Sequence, residues 1–170
     1  MAEPRMWWRA PGENRVFTLL PDAQGDAFIH FGPFAADATT PSCTWRGRVV
    51  ETSMPQAGEL DGLQATAAGH ADRTRREEHE AAVEAGLAAI AAGTLDKVVC
   101  ARVDFVAAAD ALPPEDVFRA KCADHPDAFV YLIAHPSCGV WLGATPELLL
   151  QAEGERCETV SLAATRRSAE

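Results

Sequence analysis

The sequence lacks most of the patterns that name a chemistry at sight. It has no Cys-x-x-Cys pair, although Cys43, Cys100, Cys122, Cys138 and Cys157 are present. Their odd number and wide spacing argue against a zinc ribbon or a dithiol redox motif and predict five reduced, mostly buried thiols. His79-Glu80 starts a zinc-peptidase pattern, but Val83 stands where the second histidine is required. The glycines are scattered, so no phosphate-cradling loop forms, and no Gly-x-Ser-x-Gly elbow is present for serine hydrolysis. Long apolar runs are also missing. Met1 to Ala10 carries Glu3, Arg5 and Arg9, which excludes a signal peptide or membrane span there and points to a cytoplasmic protein with no membrane partner. Positive charge is scarce, with fifteen basic against twenty-five acidic side chains and a net charge of −10. Such a surface repels phosphate backbones, so no nucleic-acid partner is expected. An acidic small molecule would still bind if a lysine, an arginine or a divalent cation gathered local positive charge. There is no internal repeat, low-complexity tract or linker.

What is present suffices for a core: 170 residues, 48% of them hydrophobic, fit one domain. Val16 to Leu20 and Ala27 to Phe31 are apolar runs flanking the polar turn Pro21 to Asp26, and they predict a strand pair. Trp45 to Val50 predicts another strand, followed by a loop from Glu51 to Gly69. Trp7 and Trp8, between Arg5 and Arg9, are expected to pack against the sheet. From Ala71 to Ala92 the chain has no proline, and His79, Val83, Leu87 and Ile90 recur at helical spacing, with Gly93 as the stop. Leu95 to Val106 is rich in β-formers and predicts a long strand. Pro113, Pro114 and Glu115 suit the first turn of a second helix reaching Ala123. Ala128 to Ala134 and Cys138 to Gly143 predict two strands joined by His135-Pro136-Ser137. A further strand is expected from Pro146 to Gln151, with a hairpin about Gly154 into Cys157 to Ala163. The fold class is α+β, a mainly antiparallel sheet packed with helices.

Three segments resemble one family. Gly93-Thr94-Leu95-Asp96-Lys97-Val98-Val99-Cys100-Ala101-Arg102 follows the long helix. Trp141-Leu142-Gly143-Ala144-Thr145-Pro146-Glu147-Leu148-Leu149-Leu150 comes second, and Ser161-Leu162-Ala163-Ala164-Thr165-Arg166 third. In this order they are similar to the lysine segment, the Gly-Ala-Ser/Thr-Pro-Glu-x-Leu signature and the Leu-Ala-Gly-Thr/Ser segment of chorismate-binding enzymes, and among these of isochorismate synthases. The resemblance spans roughly residues 71 to 170, with a weaker echo at Phe31-Gly32-Pro33-Phe34. It implies half of the anthranilate synthase component I-like fold, residues 1 to 170 being the N-terminal portion of a domain incomplete at its C-terminus.

The resemblance also implies a reaction. Converting chorismate to isochorismate adds water at one ring carbon and expels hydroxide from another, so one group must accept a proton while another donates one. Lys97 then corresponds to the base that activates water, and Glu147 to the acid that protonates the leaving hydroxyl. A lysine that works as a base near neutral pH must have its pKa lowered by roughly three units, a cost of about 4 kcal/mol. The acid must keep its proton, which burial among Leu148 and Trp141 is expected to secure. Arg102 suits an ion pair as well as a functional role. Enzymes of the family that add ammonia usually lack the lysine, and aminodeoxychorismate synthases carry one in the third segment, where this chain has Leu162-Ala163-Ala164.

Ala164 and Thr165 correspond to backbone contacts with a substrate carboxylate. Ala164 replaces the family's usual glycine; it keeps the N–H but adds a methyl group and resists positive φ. The implied cofactor is Mg2+, with its ligands expected beyond residue 170 and none within the chain. The expected partners are therefore chorismate and either a C-terminal half or a second copy of the chain, paired through open sheet edges. The 170 residues alone are expected to be inactive. Salicylate synthase, which eliminates pyruvate after the same first step, and a non-catalytic chorismate-binding fragment are the alternative readings, and the product would feed menaquinone, siderophore or salicylate formation.

Overall fold

A computed structural model describes residues 3–33, 42–60, 74–104, 112–147 and 150–160. Two compact units divide the chain: Met1–Ala68 with Ala111–Glu147, and Gly69–Asp110 with Leu148–Glu170.

The first unit is a six-stranded antiparallel sheet and one helix. Its strands are β1 (Arg5–Arg9), β2 (Val16–Pro21), β3 (Ala27–Phe31), β4 (Cys43–Thr52), β5 (Phe129–His135) and β6 (Gly139–Thr145), in the spatial order β3-β4-β2-β1-β5-β6. The segment Arg5–Arg9, which the sequence pattern only places against the sheet, is a central strand. It pairs with β2 at Trp7↔Thr18 and with β5 at Trp7↔Leu132. The expected strands at β2 and β3 exist, but they do not pair with each other. The ten-residue β4 lies between them, so Gly47 faces both Pro21 and Ala27. Gly47 permits this crowding, because a Cβ there would meet the Leu20 carbonyl oxygen and stand 2.8 Å from Leu19 Cγ.

Alternation along the strands sorts side chains to the two faces. On one face Trp7, Val130, Leu132 and Ala134 pack with Phe118 and Cys122 of helix α1 (Pro114–Asp124). On the other, Met6, Leu19, Trp45 and Ile133 form a second cluster, joined by Trp8, Ile29, Phe31 and Tyr131. Phe118 is fully buried, and burying such a ring stabilises the fold by roughly 1.5–3 kcal/mol. Helix α1 begins with Pro114 and Glu115, as the composition predicts. The buried Glu115 carboxylate accepts the Leu60 N–H at 2.9 Å and ties the chain after β4 to the helix. Arg9 is 3% exposed, and its guanidinium donates to the carbonyls of Pro126, His125 and Ala128, pinning the entry to β5.

The sheet curls until its two edges meet. The rings of Phe31 on β3 and Trp141 on β6 lie 5.3 Å apart, and Cys43 is joined to Cys138 by a disulfide across 95 residues of sequence. The expectation of five reduced thiols is thereby corrected. Curvature brings the start of β4 to the β5–β6 turn, a neighbourhood that linear spacing does not reveal, and Cys100, Cys122 and Cys157 are the free cysteines.

The second unit contains helix α2 (Arg76–Ala91) and a hairpin of β7 (Gln151–Glu153) and β8 (Arg156–Glu158), turned at Gly154 with φ +59°. The Arg75 N–H donates to Glu78 Oε2 at 3.0 Å, capping the helix start. Gly93, at φ +71°, ends it, with the Gly93 N–H on the Ile90 carbonyl and the Thr94 N–H on that of Ala89. The expected long strand from Leu95 is corrected in its described part: residues 95–104 run without strand pairing, because β-formers make a strand only where a neighbour accepts their hydrogen bonds. The strand expected from Pro146 is likewise absent at 146–147; Leu148 and Leu149 lie outside the described residues, and Gln151 opens the next described strand. No helix among the described residues is long and apolar enough to cross a membrane.

Candidate functional site

Of the three resembling segments, the first lies wholly among the described residues and the second does so except for Leu148 and Leu149. In the second unit, the lysine segment is held against α2 at several points. Gly93 turns the chain back at the helix end. Val98 then packs on Gly86, the one buried residue of α2, where an added Cβ would stand 2.8 Å from Val98 Cγ1. Further along, the Val103 N–H donates to Thr74 Oγ1 at 2.9 Å and the Thr74 N–H to the Val103 carbonyl at 3.0 Å. Lys97 sits beside the Val98 anchor, exposed, on a stretch whose backbone position is set from both sides. Arg102 is ion-paired with Asp104 at 3.7 Å.

In the first unit, the signature segment is the edge strand β6 and its exit. Gly143 faces Tyr131 across the β5–β6 ladder, and a Cβ on it would lie 2.5 Å from two atoms of the tyrosine ring. This glycine therefore exists for a packing reason, the close approach of a phenol ring. Beyond it Thr145 ends the strand, and its Oγ1 accepts the Glu147 N–H at 3.1 Å across Pro146. That turn fixes where Glu147 leaves the sheet edge. The expected burial of Glu147 is corrected: it is exposed, and Trp141 is itself 49% exposed because it lies on the outermost strand. Leu148, Ala164 and Thr165 lie outside the described residues.

A cluster that sequence reasoning missed is Cys43, His135 and Cys138, whose ligand atoms all lie within 4.8 Å of one another. His135 and Cys138 share a His-x-x-Cys spacing that was open to notice, but Cys43 reaches them only through the curl of the sheet. Burial lowers the His135 pKa, which favours its neutral ring. Among the described residues this is the one group of three or more such side chains gathered closely enough to hold an ion, and it contains no carboxylate. Two thiols and an imidazole are not the hard oxygen set that magnesium takes.

The geometry thus defines an α+β protein that presents a lysine on a pinned segment beside one helix and a glutamate at the exit of a curled antiparallel sheet. Residues 44–170 match the family model described as chorismate binding enzyme, and the chain belongs to that family. Neither the comparison with curated proteins nor that with solved structures gave a match.

Proposed function

We propose that this chorismate-binding chain serves an isochorismate synthase, with Lys97 as the base that activates water and Glu147 as the acid for the departing ring hydroxyl. The observation that carries the reading is the lysine within Gly93 to Arg102, inside the region that matches the family. Attack by water needs a base, whereas ammonia attacks without one. Supporting it, both groups occupy defined backbone positions, one fixed by the Val98 and Val103 anchors and the other by the Thr145 turn. Both are exposed within their own units, so their tuning depends on bound substrate and on surroundings beyond the described residues. Mg2+ is proposed as cofactor on the strength of the resemblance alone. Ala164 and Thr165 are proposed to offer backbone N–H groups to a substrate carboxylate.

The test is chromatography of products from chorismate and Mg2+ with the complete gene product. Isochorismate is the expected product, and Lys97→Ala and Glu147→Gln should each lower turnover by about 10²–10⁴-fold, the usual worth of a positioned acid or base. Salicylate with pyruvate would assign the salicylate synthase activity instead. Turnover unchanged in Lys97→Ala would remove the lysine from the mechanism.

A further inference from the structure

We propose that Cys43, His135 and Cys138, once the disulfide is reduced, form a binding site for a zinc-class ion at the seam of the curled sheet. The donors are two thiolates and one imidazole, the soft and borderline ligands that zinc selects and magnesium does not. They come from three places: the first residue of β4, the last residue of β5 and the turn between β5 and β6.

The geometry favours an ion between these groups. His135 and Cys138 stand at the two ends of one tight turn, closed by the Cys138 N–H on the His135 carbonyl at 3.2 Å. Gly139 follows at φ +77°, and Trp141 Nε1 donates to the Cys138 carbonyl at 2.6 Å, so the turn is fixed from its far side as well. A His-x-x-Cys turn held in this way presents two donors to one point, as the short ligand spacings of zinc sites do. The third donor, Cys43, is buried, while His135 and Cys138 are partly exposed and leave a path for an ion to enter. The Cα atoms of Cys43 and Cys138 are 7.0 Å apart. This is just beyond the usual disulfide range of about 4.4–6.8 Å. Two thiolates on one tetrahedral zinc, each at about 2.3 Å from it, sit about 3.8 Å apart and accept such a span readily.

The Ser137 N–H donates to His135 Nδ1 at 3.1 Å, so the ring carries a lone pair there and is in the neutral form that ligates metals. An ion at that nitrogen replaces this bond. Three protein donors leave the fourth position of a tetrahedral ion to water. The proton and electron balance is simple. A dithiol reductant supplies two electrons and two protons to the disulfide and is itself oxidised to a cyclic disulfide. The ion then displaces the two thiol protons to solvent.

The experiment is anaerobic titration of the reduced chain with Co2+, followed by Zn2+. The expected result is one cobalt per chain, with a thiolate-to-cobalt charge-transfer band and the intense visible bands of a tetrahedral site, both bleached when zinc displaces the cobalt. Cys43→Ser and Cys138→Ser should each abolish the charge-transfer signature of a two-thiolate site. His135→Asn, which retains both thiols and can still be checked for its disulfide after oxidation, should weaken binding at least about tenfold, the lower end of what losing even a supporting partner costs. Cys157→Ser, altering an exposed thiol, should change nothing. Absence of the band from the reduced chain, its persistence in both cysteine variants, or its loss in Cys157→Ser would each overturn the proposal.

Discussion

The two units differ in what they bury. Every buried large hydrophobic side chain among the described residues belongs to the sheet unit, where Phe118, Val130 and Leu132 are inaccessible to water. In the unit that carries Lys97, Gly86 is the one buried residue described, while Val83, Leu87, Val99 and Leu150 are exposed. The contrast teaches that a helix with the right period is not thereby a packed helix. Spacing tells which residues share a face, and only a covering element turns that face into a core. The sheet unit has its cover in α1 and in its own curl, whereas α2, among the described residues, is held by its caps and by approaches such as Gly86–Val98.

The comparison can be broken by like-for-like substitutions. Phe118→Ala should cost about 3–5 kcal/mol in urea unfolding, since the ring is fully enclosed. Leu87→Ala, at a side chain 61% exposed, should stay within about 0.5 kcal/mol. Similar costs at the two positions would show that α2 is covered after all. Next in size is Gly47→Ala, expected to cost about 1–3 kcal/mol because backbone at Leu20 must move to admit the methyl group. All four tryptophans, Trp7, Trp8, Trp45 and Trp141, lie in this unit, so their fluorescence will report the loss.

Gly86→Ala sharpens the comparison. Alanine is the better helix former by about 1 kcal/mol, but its methyl group displaces Val98, an alkyl side chain that can yield. Global stability should therefore change little, while amide hydrogen exchange at residues 97–99 accelerates. Protection unchanged there would mean that Val98 does not anchor the lysine segment.

The smallest effect is one of pH. Hydrogen bonds from the Arg75 backbone and side chain hold the Glu78 carboxyl below its ordinary pKa. The unfolded chain then binds the proton more readily, so the cap stabilises α2 fully above the ordinary glutamate range and loses that effect as pH falls through the folded value. Exchange in the first turn of α2 should rise on acidification before tryptophan fluorescence changes, and Glu78→Gln should remove the pH dependence. Simultaneous loss of both signals would indicate one cooperative unit.

These features also mark how far the sequence could be read. Both helices, the β5–β6 hairpin and the Gly154 turn were legible because proline, glycine and local periodicity signal them directly. Strand β1 was not, because Arg5-Met6-Trp7-Trp8-Arg9 shows no polar alternation and Arg9 is buried only through carbonyls supplied from residues 125–128. The insertion of β4 between β2 and β3 was hidden for the same reason: hairpin signals tell which strands follow each other and not which become neighbours. At the candidate site, Lys97 and Glu147 are proposed from the segments that contain them, and their roles rest on that resemblance. The exposure of Glu147 was not legible, since it follows from β6 lying at the sheet edge. The thiol and imidazole cluster needed the curl.

The placement of β1 has a consequence for synthesis. This strand is synthesised before the strands it pairs with, yet one of its two ladders is with β5, which emerges more than a hundred residues later. Until then a tryptophan-bearing strand has half its hydrogen bonds open, and chaperones that shield nascent chains should find their longest-lived target at Met6 to Trp8.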